Sequence, residues 1–350
     1  MDSEHLTDNT VTLCNDNGVR AVFSCYGARW IAMCVPDREG RVEDVLLGFD
    51  HLNDYKTATE SYYGAIIGRV CGRISNAEFR INGTLYKLAP NDIYGHPIRN
   101  HLHGGIAGFH CQLWQKMQYK NKDGEESVSF TYLSKDGEEG YPGNLNVSVT
   151  YTLTNDNALL MECKAVADQC TPVNLTNHAF FNLHGVDRGK NILSHRLTIP
   201  SWHIIECDEE LVPTGTIVSV KNTLLDFSKS RLIGEAVKCE QMGIHTNNGF
   251  SLAYALDTNC GLPLIAELYE EQNGRTMQIF SNQPSLQVYT GYLMNGTDIG
   301  KKGVRYSVSA GVALEPQGYP DAVHQSNFPS VLLKPGDMYV HRSLYRFTTQ

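Results

Sequence analysis

Three kinds of side chain in this sequence stand where acid–base chemistry is possible. The first is Glu315 in "GVALEPQGYPDAVHQSNFPS" (311–330), directly after the apolar run Gly311, Val312, Ala313, Leu314. That run reads as a buried strand, after which the chain breaks into Pro316, Pro320 and Pro329. A carboxylate desolvated at the edge of a core binds its proton more tightly, which makes it a better base near neutral pH. The second is His178, set among apolar and aromatic residues in "NLTNHAFFNLHG" (174–185). It is either a core histidine satisfied by backbone or an imidazole whose pocket tunes its proton affinity across neutrality. The third is a pair of arginines, Arg69 and Arg73, in "GAIIGRVCGRISNAEF" (64–79). A guanidinium among Ile66, Ile67, Val70 and Ile74 needs a carboxylate partner or a ligand's oxygens. An ion pair between one of them and Glu315 is the structural alternative to a catalytic carboxylate.

"YGHPIRNHLHGG" (94–105) adds His96, His101 and His103. His101-x-His103 places two imidazoles on one face of a strand, as metal-binding barrels do. A catalytic zinc needs three protein ligands, however, and Ala107 and Gly108 stand where a carboxylate would follow. No metal is assigned. Gly104 and Gly105 suggest a tight turn that admits a ligand or another backbone. The glycine-rich stretches match neither a dinucleotide fingerprint nor a phosphate-binding loop, and no Gly-x-Ser-x-Gly elbow is present.

The elements that must carry these residues read as strands. In "NLNVSVTYTL", Leu145, Val147, Val149, Tyr151 and Leu153 alternate with polar neighbours, the pattern of a half-buried antiparallel strand. "SVSFTYLS" (127–134) precedes it, and Asn82-Gly83 marks a hairpin inside "FRINGTLYKL" (79–88). Only short helices are expected, near 51–58 and 229–237. Across 350 residues there is no repeat or low-complexity linker, so one large antiparallel β-sandwich domain spanning 1–350 is predicted. A net charge of −9 argues against nucleic acid or an anionic membrane as partner. No apolar run is long enough to span a bilayer, and "MDSEHLTDNT" has no signal-peptide pattern. The ten cysteines are scattered singly and are expected to be reduced thiols, in a cytoplasmic protein.

Six motifs in order, "GAIIGRVCGRI", "NHLHGG", "NLTNHAFFNLHG", "LVPTG" followed by "LLDF", "QVYTG" and "LEPQGYPDAVHQSNFPS", resemble the aldose 1-epimerases, or galactose mutarotases. The resemblance runs from about residue 60 to 335. It implies an all-β galactose mutarotase-like supersandwich with few helices, a shallow sugar site, no cofactor, and interconversion of the α and β anomers of free aldoses. By the same resemblance Glu315 matches the catalytic base and His178 the acid that protonates the ring oxygen. His103 and Arg73 match sugar-binding positions. Asn247, in "NNGF" (247–250), falls where relatives carry a sugar-binding Asp, with His245 as the alternative under a different gapping. An amide there hydrogen-bonds hydroxyls more weakly than a carboxylate does. The implied partner is a monosaccharide, galactose by family default and glucose next, with the chain a monomer or homodimer. Phe180, Tyr289 and Tyr63 are candidates to stack on the sugar, and the prolines after Glu315 to stiffen its loop. The competing reading is a catalytically weak sugar-binding or sensor protein on the same fold.

Overall fold

The computed structural model describes residues 9–94, 97–238, 249–258 and 261–350. Three larger sheets, all antiparallel, dominate. The largest has nine strands, with Leu145–Leu153, Ala158–Ala167 and Tyr339–Thr349 as neighbours at its centre. A six-stranded sheet runs in the order Phe180–Phe181, Val312–Gln317, Ser285–Tyr289, Ser251–Ala255, His203–Cys207, Pro213–Ser219. A four-stranded sheet is built from residues 10–44. Side chains from all three meet in one core: Phe23 and Trp30, Val149 and Tyr151, Val288 and Leu314 among them. Each large apolar side chain buried there contributes roughly 1.5–3 kcal/mol.

Local patterning carries over directly. Leu145, Val147, Val149, Tyr151 and Leu153 are all buried, in a strand paired with Glu126–Ser134. Asn82 and Gly83 take positive φ (49° and 84°) in the turn joining Glu78–Ile81 to Thr84–Lys87. The α-helices among the described residues are Leu52–Thr57 and Ile233–Ala236, inside the two windows expected. The described cysteines are free thiols, and no described helix is long and apolar enough to cross a membrane.

The segment around Glu315 differs from expectation. The strand does not stop before Pro316 but continues to Gln317. Proline is tolerated because the neighbouring strand Phe180–Phe181 pairs only with Ala313 and Val312. Beside Pro316 its place is taken by the Thr176 hydroxyl, which donates to the Pro316 carbonyl at 2.9 Å. The downstream prolines brace a different element. Pro320 packs against Gly72, the Asp321 N–H donates to the Arg73 carbonyl, and the Asp321 carboxylate accepts from the Ser75 N–H. Glu315 is thus held by sheet pairing, while the proline segment holds Arg73.

One buried polar link ties the nine-stranded sheet to the residue before His178. The Tyr151 hydroxyl donates to the Ala28 carbonyl and accepts from the Asn177 side-chain amide, each at 3.1 Å. Asn177 also donates to the Gly64 carbonyl at 2.8 Å. Removing the hydroxyl leaves a buried carbonyl without that donor. Tyr151→Phe should therefore lower stability by about 1–2 kcal/mol in urea unfolding, with the slope of the transition unchanged.

Candidate active site

The pleat of the six-stranded sheet sorts its side chains between two environments. Val312 and Leu314, Leu286 and Val288, Leu252 and Tyr254 enter the core. Their alternates Glu315 and Gln317, Gln287 and Tyr289, Ser251 and Ala253 floor a cavity on the other face. Register lays Ala253, Gln287 and Glu315 in one row across three strands. The register that pairs Phe180 with Ala313, carried two residues on, sets His178 opposite Glu315. His178 Nε2 lies 3.6 Å from Glu315 Oε1, beyond a direct hydrogen bond but within reach of a shared hydroxyl. The two groups stand side by side, so a pyranose cannot pass between them. They address adjacent atoms on one edge of a ring.

Both are almost wholly buried. Burial pushes the Glu315 carboxyl well above the usual carboxylate range, and the nearby Glu60 charge adds to this. Burial pulls His178 down to about 4, only partly offset by a backbone hydrogen bond. Both shifts favour the uncharged forms, so between the two values the pair holds a single proton, which rests on the carboxyl until a polar ligand enters. Glu315 Oε2 and Gln317 Oε1 are buried acceptors with no protein donor. Buried acceptors of that kind mark where a hydroxylated ligand would bind.

The walls bring in the other expected residues. His103 Nδ1 accepts from the Gly72 N–H at 3.2 Å, which leaves the ring proton on Nε2, where no acceptor among the described residues takes it. Burial and the neighbouring His178 hold His103 well below the normal histidine range, so it is a neutral donor. Its φ of 54° ends the strand His101–Leu102. The next residue must be glycine, because a Cβ on Gly104 would stand 1.8 Å from the Gly68 carbonyl oxygen. Close backbone approach is thus what the glycine pair serves. Tyr62 meets the His103 ring edge-on at 4.6 Å and lies tilted against the His178 ring at 5.6 Å. Arg73 Nε donates to Asp92 at 2.6 Å, which fixes the guanidinium and leaves Nη1 without an acceptor among the described residues. Neither arginine pairs with Glu315. Arg69 is fully committed to structure, donating to the carbonyls of Ser134, Lys135, Pro142 and Gly143 and to the Ser134 and Thr171 hydroxyls.

Other expectations need correcting. His101 and His103 do not share a strand face. The His101 ring is occupied by the Ala89 carbonyl and the Tyr141 hydroxyl, each at 2.8 Å, away from the cavity. Among the described residues no group of three or more His, Cys, Asp or Glu converges to hold a metal. Of the three proposed stacking rings only Tyr289 lines the cavity. Phe180 and Tyr63 are buried in an aromatic cluster with Phe49 and Tyr306, and Tyr62, in the same turn as Tyr63, takes the wall position. Asn247, His245 and His96 lie outside the described residues. Gln287, Gln317, Tyr62, Glu60 and Asp92 went unread in the sequence. Gln317 follows from counting two residues past Glu315, whereas nothing in "PNDIYG" singles out Asp92.

The chain and its fold have clear counterparts. The sequence profile described as aldose 1-epimerase matches residues 9–346. Galactose mutarotase of Bos taurus is 41% identical over 330 residues, covering 94% of this chain and 91% of that protein. Aldose 1-epimerase of Haemophilus influenzae is 33% identical over 339 residues, covering 96% and 95%. Among solved structures, the GalM/aldose epimerase homologue from C. elegans superposes with a TM-score of 0.87 at 28% identity, covering 97% of this chain and 98% of that one. A cavity floored by a carboxylate with a histidine beside it, in a chain with these relatives over nearly its whole length, leads to one assignment: the chain belongs to the aldose 1-epimerase family.

Proposed function

We propose that this chain is an aldose mutarotase acting on free aldohexoses, galactose first and glucose next, without a cofactor, as one domain in the cytoplasm. The observation that carries this reading is the placement of His178 Nε2 3.6 Å from Glu315 Oε1 on the floor of a cavity with unpartnered acceptors. In the reaction Glu315 takes the proton of the C1 hydroxyl and His178 gives one to the ring oxygen as the C1–O5 bond breaks. Both oxygens are bonded to C1, so adjacent groups reach them from one edge. The open aldehyde turns about C1–C2, and closure on the other face runs the transfers in reverse. Arg73 and His103 donate to sugar hydroxyls, and the Asn247 amide is assigned the same task.

The single proton of the pair must sit on His178 at the start. Hydroxyl donors reaching Glu315 Oε2 and Gln317 Oε1 favour that arrangement, because they stabilise the carboxylate where water does not. A positioned acid or base is typically worth about 10²–10⁴-fold in rate. Polarimetry on freshly dissolved α-D-galactose should therefore show wild type outpacing the spontaneous reaction and Glu315→Gln losing at least about 10²-fold. Wild type no faster than buffer across a panel of aldoses would overturn the reading.

The pH dependence follows from the two shifts. Below about 4 His178 is protonated while Glu315 is also protonated, and no base remains. As pH rises through the elevated Glu315 value the pair loses its only proton, and no acid remains. After subtraction of the spontaneous rate, kcat/KM should be bell-shaped, with its acid limb near 4 rather than near 6.5 and its alkaline limb above the usual carboxylate range. Asp92→Asn releases the clamp on Arg73 and should raise KM for galactose several-fold with a smaller change in kcat, measured by the same assay.

A further inference from the structure

Glu60 is a second buried carboxylate in the same cavity, and the chemistry above makes no use of it. It lines the cavity with Tyr62, Tyr94 and Tyr289 and is 8% exposed. Its backbone is pinned, since the Asp298 carboxylate accepts the N–H groups of Thr59 at 2.8 Å and Glu60 at 3.2 Å. Its Oε1 accepts one long hydrogen bond, from the Tyr62 N–H at 3.3 Å. No described lysine or arginine forms an ion pair with it. The guanidinium that acts on it electrostatically, Arg29, directs Nη1 and Nη2 to the carbonyls of Ser61, Tyr63 and His110, and its Nε has no partner. The Glu60 charge acts on the cavity residues Tyr62, Tyr94, Tyr289 and Glu315 as well as on the buried Tyr63 and Arg29 behind them.

A buried carboxylate without a cation needs hydrogen-bond donors, and in this cavity a polyhydroxylated ligand supplies them. We infer that Glu60 is a substrate-binding residue that accepts a hydrogen bond from one aldose hydroxyl remote from C1 and thereby sets sugar preference. This rests on the cavity binding aldoses as proposed above. Burial also pushes the Glu60 carboxyl up to about 7, which gives it both donor and acceptor character near neutrality.

The test is a cycle between side chain and hydroxyl. Wild type, Glu60→Gln and Glu60→Ala are assayed by polarimetry on D-galactose and its 2-, 3-, 4- and 6-deoxy forms. Both variants should lose kcat/KM on galactose, about tenfold or more for Glu60→Ala. On one of the four deoxy sugars wild type and variants should be equal, because the contact is already missing. A merely structural role would depress all five sugars alike, and that result overturns the inference while leaving mutarotase activity in place. If Glu60→Ala does not fold, the isosteric Glu60→Gln carries the same cycle with a smaller effect. A wild-type chain inert on every aldose overturns the proposed function and this contact with it.

Discussion

The two-residue period of one strand, Val312–Gln317, governs the relation between stability and chemistry in this protein. Val312 and Leu314 complete the core from one face, and Glu315 and Gln317 floor the cavity from the other. The pleat allows no independent adjustment of the two sets. The hydrophobic effect that seats Leu314 also seats the carboxylate one residue on. Neighbouring strands repeat the division with Val288 against Gln287 and Leu252 against Ser251. His178 joins through register rather than through a loop.

Burial then sets the electrostatics. Burial on the cavity face of the sheet raises the carboxylate and lowers the imidazoles for the same reason, the cost of charge away from water. Glu315, His178 and His103 therefore form a site in which protons are scarce and uncharged donors abundant. Arg73 is the exception, and Asp92 balances it at 2.6 Å. Such a site suits a neutral polyol, whose hydroxyls both give and accept hydrogen bonds, better than a charged metabolite.

How much of this could be read in advance depended on how local the signal was. Alternation at Leu145–Leu153 and the Asn82-Gly83 turn are properties of a few adjacent residues, and the structure reproduces both. Glu315, His178, His103 and Arg73 stood out by their setting and by motif resemblance, and they line one cavity. Asp92 and Glu60 did not stand out, because a carboxylate is remarkable only once it is known to be buried, and burial is decided by distant chain. Tyr63 and Tyr62 show the same limit at one-residue resolution: both are aromatic, and only the turn they share decides which enters the core. The prolines after Glu315 were read as serving the nearest functional residue, whereas they brace Arg73, nearly 250 positions earlier in the chain.

The division of labour across the sheet also bears on how such a protein can change. The floor is fixed to the core by the pleat, so substitutions or length changes there are paid twice, in packing and in catalysis. The walls around Glu60–Tyr62, Asp92–Tyr94, Cys207–Leu211 and Tyr292–Leu293 ride on connections outside the regular strands. Connections tolerate insertions and new side chains at little cost to the core. Floor and rim are therefore separable here: the rim can be redrawn residue by residue while the strand beneath keeps Glu315 and Gln317 in place.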